Sequence, residues 1–449
     1  MTPTFRPMLL AATMLAGAAP AHAEGQSSLA AEVAALRAEV ATLRARVGEL
    51  EAPQAAAQPQ PTAAAAPAEE APRARFAGAP EISAPGGWSF KPFGRLQYDV
   101  GHVSRPNGIA DPGLGFSNEL RRARLGIEGD IPGGFGYKFE IDFAGGETEI
   151  TDAILTYEAS DAVGLTLGQH NNFQSLEELT SSRFSSFIER AAFTDAFNFE
   201  RRVGLSAQLA SGPLLVQAGV FTDNIADLGD DANDSAGIDG RIVVAPELGE
   251  TRLHLGASAH WRDNGDLPAL GVTTRYRQRP LVHSTDVRFV ATPALPVADE
   301  THYGLEAALI HGPFHAAAEA HWLEAGTVTG PSPTLFGGYA EIGWFITGES
   351  RGYRGGKFDR TRPARAIEEG GSGAFQLNLR YDRLDLNSGA IRGGTQDGLM
   401  ASLIWIPTDY VRFLINYARL SYDEAAIPAA GGDRRYAVDV IGARAQIDF

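Results

Sequence analysis

Arginine is the residue type in this sequence whose placement most suggests contact with a ligand. Six arginines fall on the polar side of segments in which apolar and polar residues alternate, and two more lie in the connection 172–199. A planar guanidinium group offers paired donors that match the oxygens of phosphate or carboxylate. We therefore predict a pathway for small anions, with these candidate residues: Arg95, Arg122, Arg124, Arg183, Arg190, Arg202, Arg252 and Arg412.

These arginines also have a purely structural interpretation, in which each forms an ion pair with a carboxylate on the same polar face. Arg262, Arg380 and Arg444 share the parity of the strand arginines and face the same alternative. The available carboxylates are Asp99, Glu128, Asp142, Glu306, Glu319 and Asp382. For any single arginine the ion pair is the simpler interpretation, but across the whole set we expect several to stay free for anions.

No other group of reactive side chains stands out. The chain has no cysteine, so it has no disulfide and no thiol chemistry. Four histidines fall on polar faces, namely His254, His260, His315 and His321, and hydrogen bonding is favoured over a metal site that would need them to converge. The acidic stretch 227–239 lacks the spacing of an EF-hand loop. We predict no catalytic residue, no metal site and no cofactor.

The segments that carry the arginines repeat every two residues, which is the period of a β-strand. The pattern runs through residues 93–449. In one example, the apolar Tyr137 and Phe139 alternate with Lys138 and Glu140. One face of each strand is therefore expected to be apolar and the other polar.

The connections between these segments alternate between short turns and long polar loops. We count sixteen strands, which begin near residues 94, 118, 135, 149, 164, 200, 213, 237, 250, 301, 313, 336, 374, 397, 410 and 435. An even number of strands, with short turns at one end and long loops at the other, is typical of outer-membrane barrels. The connection 348–373 departs from the rule, because it is long but falls at the short-turn end. We predict an all-β fold, a 16-stranded antiparallel transmembrane β-barrel over residues 89–449.

A soluble β-sandwich or lipocalin-like barrel would show the same alternation, with its apolar face turned inward. The end of the chain favours the membrane barrel. Ile441, Ala443, Ala445 and Ile447 alternate up to a C-terminal Phe449, and such a strand resembles the signal read by the outer-membrane assembly machinery. The mean hydropathy of −0.14 fits strands whose apolar and polar faces average out.

Three segments are predicted before the barrel. Residues 1–23 have the basic start, apolar core and small-residue cleavage site of a signal peptide. Residues 24–51 contain heptads with Val at position a and Leu at position d, which predict a periplasmic coiled coil of parallel helices, with a lone amphipathic helix as the alternative. Residues 52–88 are rich in Ala and Pro and are predicted to be an extended linker.

Charge and loop composition narrow the function further. The formal net charge of −17 disfavours nucleic-acid binding. The loop 172–199 carries aromatic residues that can hold it against the inner wall, so it is the best candidate for a constriction. The arginines of the loop 263–300 can face either the pore or the phosphates of lipopolysaccharide.

The predicted barrel resembles the phosphate-selective porin O and P family in several stretches that occur in order. The first is ELRRARLG at residues 119–126. The second comprises LEELTSS at 176–182, FIER at 187–190 and RRVG at 201–204. The last two are GY at 338–339 with FITGESR at 345–351, and YVRF at 410–413 with NYAR at 416–419.

The resemblance implies a trimer of barrels in the outer membrane, whose pores are narrowed by inward-folded loops and lined by arginines and a lysine cluster. This chain has only Lys91, Lys138 and Lys357, so the lysine cluster does not carry over. We expect passive diffusion of small anions, with phosphate as a candidate. The alternatives are a weakly selective general porin and a tether that reaches peptidoglycan through the coiled coil.

Overall fold

The computed structural model describes residues 34–46, 72–146, 148–229 and 234–449. The chain divides into two compact units, Met1–Ala68 and Glu69–Phe449. The predicted signal peptide lies outside the described residues, as do most of the predicted coiled coil and linker. Of the first unit, residues 34–46 form a helix with exposed side chains.

The second unit is a closed barrel of sixteen antiparallel strands, counted over the described residues. The barrel strands are β1 Trp88–Val103, β2 Gly115–Ile131, β3 Phe135–Asp142, β4 Glu149–Glu158, β5 Val163–Asn171, β6 Arg201–Ser211, β7 Leu214–Phe221, β8 Ala236–Val244, β9 Thr251–Asp263, β10 Val297–His311, β11 Phe314–Thr327, β12 Thr334–Phe345, β13 Ala374–Ser388, β14 Ile391–Thr408, β15 Val411–Asp423 and β16 Tyr436–Asp448. The predicted fold class and strand number are confirmed.

Shorter elements occupy the connections. The helices are Leu176–Leu179 and Ala192–Ala196, with 3-10 turns at Ala144–Gly146, Ile367–Glu369 and Ala430–Gly432. The short strands are Arg73–Ala77, Ala79–Ala84, Glu247–Leu248, Arg277–Gln278, Val290–Ala291, Gly352–Arg354 and Lys357–Asp359. None of the described helices has the length and apolar character needed to cross a membrane.

The last strand closes the barrel by pairing with the first. The ladder between β16 and β1 runs from Val440 opposite Val103 to Asp448 opposite Arg95. Beyond it, the backbone N–H of Phe449 donates to the carbonyl of Gly94 at 3.1 Å. Closure leaves no unpaired edge along this seam, which is the condition for a sheet to stand in lipid.

The outer face of the barrel is apolar, as the alternation predicts. Leu255 and Phe413 on this face are 61% and 41% exposed. Aromatic rings stack between neighbouring strands, with Trp405 between Phe375 and Phe413 at centroid distances of 6.1 and 5.5 Å. A soluble barrel would bury these side chains, so the apolar face is turned outward to lipid.

Part of the interior differs from the expected polar face, because it is a hydrophobic core. The loop 172–200, which we call the inner loop, folds into the barrel and buries its aromatic residues there. The core joins side chains of the inner loop, the loop 264–296 and the inner faces of β10–β16, including Phe187, Phe193, Phe197, Tyr276, Phe289, Leu323, Leu335, Leu384, Leu420 and Val438. Each buried aromatic or aliphatic side chain contributes about 2 kcal/mol. The core therefore fills one side of the lumen.

Two glycines of the inner wall create the space for this loop. A Cβ atom at Gly337 would lie 2.4 Å from the Cβ of Phe193, and one at Gly442 would lie 2.3 Å from the Cδ1 of Ile188. Both distances are shorter than any real contact between carbon atoms, so only glycine lets the loop approach this closely.

The region predicted as a linker contains regular structure near its end. Strands Arg73–Ala77 and Ala79–Ala84 form a hairpin, and the second strand pairs with the start of β1. The Ala and Pro content of residues 52–88 pointed to an extended chain, but the alternation from Arg73 onward is that of a strand.

Candidate permeation pathway

An open cavity of about 670 Å³ lies inside the barrel, against one part of the wall. Its wall residues come from the inner faces of β1–β8, and the rest come from the inner loop, the loop 264–296 and the turn 346–373. No residue of β9–β16 lines the cavity, and the inner faces of β10–β16 contribute to the hydrophobic core instead. The cavity is therefore eccentric and runs along the eight N-terminal strands, which makes it the candidate pathway.

The cavity is lined by more cations than acids. Twelve cationic side chains line it, namely Arg95, Arg121, Arg122, Arg124, Lys138, Arg183, Arg190, Arg201, Arg241, Arg279, Arg354 and Lys357. Six acidic side chains line it, namely Glu128, Asp152, Glu178, Glu189, Asp195 and Asp359. The lining thus has a formal excess of six positive charges, within a chain whose formal net charge is −17.

Five of the eight arginines predicted from sequence line this cavity, namely Arg95, Arg122, Arg124, Arg183 and Arg190. The structure places the other three elsewhere. Arg202 is buried and donates from Nη2 to Glu200 at 2.7 Å. Arg252 pairs with Glu247 and donates from Nη1 to the carbonyl of Tyr353 at 3.1 Å.

The third of these arginines, Arg412, fastens the inner loop to the wall. Its guanidinium group donates to the carbonyl of Arg183 and, at 3.1 Å, to the carbonyl of Ser185. Arg351 of the turn 346–373 donates to the carbonyl of Phe184 at 2.7 Å. Both groups hold the loop backbone, and neither of them lines the cavity.

Buried acceptors on the wall complete the attachment of the inner loop. The carboxylate of Glu319 accepts the backbone N–H groups of Leu176 at 3.0 Å and Glu177 at 2.7 Å. The side-chain carbonyl of Asn416 accepts the N–H of Ile188 at 2.7 Å. The helix Leu176–Leu179 thus has its first N–H groups satisfied by the barrel wall, which fixes the start of the loop.

Several strand arginines are neutralised by carboxylates, as the structural interpretation of the sequence allowed. Arg95 donates to Glu140 at 2.8 Å, and Arg444 donates to both oxygens of Asp99 at 2.7 Å. Arg122 differs, because its Nη1 donates to the side-chain carbonyl of Gln97 at 2.9 Å. No carboxylate among the described residues lies within ion-pair distance of Arg122. Arg122 is therefore a lining cation without an ion-pair partner among the described residues.

Arg121 reaches the same cavity through a β-bulge. On β1, Gln97 pairs with Arg122 and the next residue, Tyr98, pairs with Leu120, so Arg121 has no partner in this ladder. A bulge residue breaks the alternation of the strand. Regular alternation would place Arg121 on the outer face, but its Nε donates to Glu189 of the inner loop at 2.8 Å.

Arg279 of the loop 263–300 also lines the cavity, which is the pore alternative given for that loop. Three further lining cations were not among the predicted residues, namely Arg241, Arg354 and Lys357. For Arg241 of β8 the sequence does indicate an inward side chain. It has the opposite parity to Ile238 and Ile242, which are 58% and 48% exposed on the outer face. Arg354 and Lys357 lie on a small hairpin inside the long turn 346–373. Parity applies to barrel strands and gives no direction for side chains of a turn.

Serine hydroxyls of the inner loop lie beside the lining arginines. Arg95 donates from Nη1 to the hydroxyl of Ser182 at 3.0 Å and to that of Ser181 at 3.4 Å. Arg183 donates from Nε to the hydroxyl of Ser181 at 3.2 Å. Hydroxyl and guanidinium donors at one point of the cavity can replace part of the hydration shell of an oxyanion.

The two inner-loop glutamates in the lining, Glu178 and Glu189, have pKa values that are shifted in opposite directions. Burial raises the pKa of Glu178, against the opposing effect of Arg190, whose Nη1 lies 3.4 Å from Oε2 of Glu178. Burial also opposes ionisation of Glu189. The positive charges of Arg121, Arg122 and Arg444 nevertheless hold the pKa of Glu189 well below its usual range. Glu189 is therefore a fixed negative charge, whereas Glu178 is more easily protonated.

The histidines are involved in hydrogen bonds, as predicted. His321 contacts the carboxylate of Glu319 at 3.0 Å, and His254 contacts Glu306 at 3.0 Å. Across the described residues, no group of three or more His, Asp or Glu side chains is arranged to hold a metal ion.

Two known proteins show clear sequence similarity to this chain. An uncharacterized protein of Caulobacter vibrioides is 50% identical over 403 residues, which cover 88% of this chain and 80% of that protein. Porin O of Pseudomonas aeruginosa is 27% identical over 328 residues, which cover 66% of this chain and 73% of porin O.

Solved porins have the same fold. An anion-selective porin from Comamonas acidovorans aligns with a TM-score of 0.51 at 12% identity, covering 81% of this chain and all of that chain. OprB of Pseudomonas putida aligns with a TM-score of 0.52 at 12% identity, covering 81% of this chain and 94% of that chain. At such identities the likeness shows the fold alone.

The family is shown by the sequence of the barrel itself. The family model described as phosphate-selective porin O and P matches residues 90–449, which is the whole barrel with its inner loop. This chain therefore belongs to the phosphate-selective porin O and P family and is an outer-membrane porin.

Proposed function

We propose that this porin conducts small anions, with phosphate among them, through the eccentric cavity along β1–β8. The observation that carries the proposal is the excess of six positive charges in the cavity lining. Selectivity depends on the charges along the narrow path, and the acidic groups that dominate the net charge lie elsewhere. The porin of Comamonas acidovorans that shares this fold is described as anion-selective, which agrees with this proposal.

The proposed contact point for an oxyanion is the cluster of Arg95, Arg122, Ser181, Ser182 and Arg183. Arg122 supplies a charge without a carboxylate partner. The hydroxyl oxygens of Ser181 and Ser182 accept from arginines, and each O–H group can donate to an anion. Charges in a constriction with low dielectric constant act more strongly than in bulk water. Rapid passage still requires weak binding, and the open cavity around the cluster favours release.

Planar-bilayer recordings test the proposal directly. The reversal potential in a salt gradient should show anion preference, and added phosphate should block chloride current. The double variant Arg122→Ala/Arg124→Ala should shift the reversal potential toward cations and weaken the block. Arg252→Ala is the matched control, because Arg252 lies outside the cavity lining and should leave both values unchanged. Cation preference in the parent protein would contradict the proposal.

A weakly selective general porin is the second candidate. It is favoured by the ion pairs that neutralise several lining cations, such as Arg124 with Asp142 at 2.7 Å and Lys138 with Asp152 at 2.6 Å. The same recordings separate the two functions, because a general porin would show a reversal potential near zero and no phosphate block.

We also propose that the short-turn end faces the periplasm, that the porin is a homotrimer, and that its outer loops contact lipopolysaccharide. The helix at 34–46 carries Leu36, Val40 and Leu43, which are 57%, 46% and 56% exposed. These residues occupy successive heptad positions and support the predicted coiled coil of residues 24–51, with peptidoglycan as a candidate contact. Deletion of residues 24–68 should leave conductance intact and loosen attachment to the cell wall.

A further inference from the structure

The hairpin formed by Arg73–Ala77 and Ala79–Ala84 extends the barrel wall at the short-turn end. Its second strand pairs with the start of β1, where Ile82 lies opposite Phe90 and Ala84 opposite Trp88. Its turn packs on the barrel rim, because a Cβ atom at Gly78 would lie 2.4 Å from the ring of Tyr410, between β14 and β15. The hairpin thus continues the sheet beyond the end of β16.

The two faces of this extension differ in polarity. Phe76 lies opposite Pro80, and Ala74 opposite Ile82, so these four residues share one face. The other face carries polar residues, and there Nη2 of Arg75 contacts Glu81 at 2.8 Å.

The apolar face is continuous with the lipid-facing wall. Trp88 and Phe90 on β1 have the same parity as Leu96 and Tyr98, each 46% exposed on the outside of the barrel. Through the pairing of Ile82 with Phe90, that outer face extends onto the hairpin. The large apolar side chains of this continuous face are exposed, with these fractions: Phe76 80%, Trp88 52%, Ile82 41% and Phe90 39%.

We propose that this hairpin face is embedded in the periplasmic leaflet of the outer membrane, at the level of the phospholipid headgroups and upper acyl chains. Aromatic side chains favour that interface, because one side of it is apolar and the other is wet. An apolar surface of this kind facing water would be costly. Continuity with the lipid-facing wall identifies lipid as the occupant, in preference to a second copy of the chain. The proposal rests on the periplasmic orientation of the short-turn end and is independent of ion selectivity.

Spin labelling provides the test, because the protein has no native cysteine. Phe76→Cys in the full chain carries a nitroxide on the apolar face, and Arg75→Cys carries one on the polar face of the same strand. Both variants are reconstituted into phosphatidylethanolamine and phosphatidylglycerol vesicles. Collision rates with oxygen, which partitions into lipid, and with a water-soluble nickel chelate are then measured. We expect the oxygen-to-nickel ratio to be severalfold higher at residue 76 than at residue 75.

Two results would overturn the proposal. Equal access of the nickel chelate to residues 76 and 75 would place the hairpin face in water. Low access of both reagents to residue 76, with dipolar broadening between labels, would place a second copy of the chain on it. Bilayer conductance of both variants serves as the folding control. Their ion selectivity is expected to match the parent, so failure of the lipid contact and failure of the anion pathway are distinguishable.

Discussion

Arg121 and Arg122 are neighbours in the chain, yet both guanidinium groups line the same cavity of the barrel. Regular alternation would send one of them to the lipid-facing side. The β-bulge at Arg121 removes that conflict and adds a second positive charge at one level of β2.

The ion pair between Arg121 and Glu189 predicts that loss of Arg121 changes ion selectivity strongly. A second substitution, at Glu189, should restore it. Arg121→Ala removes one positive charge and leaves Glu189, which also contacts Arg444 at 3.0 Å, less neutralised. We expect a larger shift of the reversal potential toward cations than for Arg122→Ala. The double variant Arg121→Ala/Glu189→Gln should recover most of the shift, since it restores the balance of charge. A double variant that keeps the full shift of Arg121→Ala would contradict this prediction.

The eccentric position of the pathway predicts which side of the barrel is accessible to reagents. Gln217 of β7 lines the cavity, whereas Asn378 of β13 is 1% exposed and faces the inner loop. In Gln217→Cys, a bulky thiol reagent added during bilayer recording should reduce the current. In Asn378→Cys the same reagent should have no effect. Block through Asn378→Cys alone would place the pathway on the opposite side.

The barrel could be predicted from the sequence to a large extent, because its signal is local. Each strand alternates on its own, and Phe449 closes the last one, so the strand count follows without knowledge of the tertiary structure. The bulge at Arg121 depends on register with β1, and the core around Phe193 depends on loops that are distant in sequence. Neither is encoded in the period of a single strand, which is why parity missed Arg121 and predicted a polar lumen throughout.

The same limit applies to the candidate site. The guanidinium groups of Arg95 and Arg124 could be assigned to the lumen from parity, but the division of the lumen by the inner loop could not. Arg412 has the correct parity and still contacts loop carbonyls, because the loop covers its part of the wall. Which lining arginines face water is a property of the folded loop.

The raised pKa of Glu178 predicts that acidification strengthens anion preference. As the pH falls from neutrality, this carboxylate takes up a proton before an ordinary glutamate does, because burial raises its pKa. Protonation removes a negative charge from the lining and leaves Arg190 less neutralised. The reversal potential should therefore move toward anions. Glu178→Gln should show the shifted value already at neutral pH, with a weaker dependence on pH; an unchanged pH profile in this variant would contradict the assignment.

The attachment of the inner loop to Glu319 predicts a loss of rigidity when that carboxylate is removed. Glu319→Ala leaves the N–H groups of Leu176 and Glu177 without their acceptor, at a cost of about 1–3 kcal/mol for each buried group. The phenol of Tyr339 also loses its partner, which lies at 3.0 Å. The barrel itself should still assemble, because its strand ladders do not depend on this residue. We expect flickering of the open current and weaker anion preference, since a mobile loop holds Arg183 near the wall for less of the time.

The control for this variant is Glu319→Gln, which keeps one acceptor oxygen in the same place. It should retain one of the two N–H contacts and show intermediate current noise in bilayer recordings. Steady currents and parental selectivity in Glu319→Ala would mean that the remaining contacts hold the loop without Glu319, namely the polar contacts of Arg351, Arg412 and Asn416 and the hydrophobic contacts of Phe187 and Phe193. The comparison therefore measures the contribution of Glu319 itself, because the other polar contacts of the loop and both aromatic side chains stay in place.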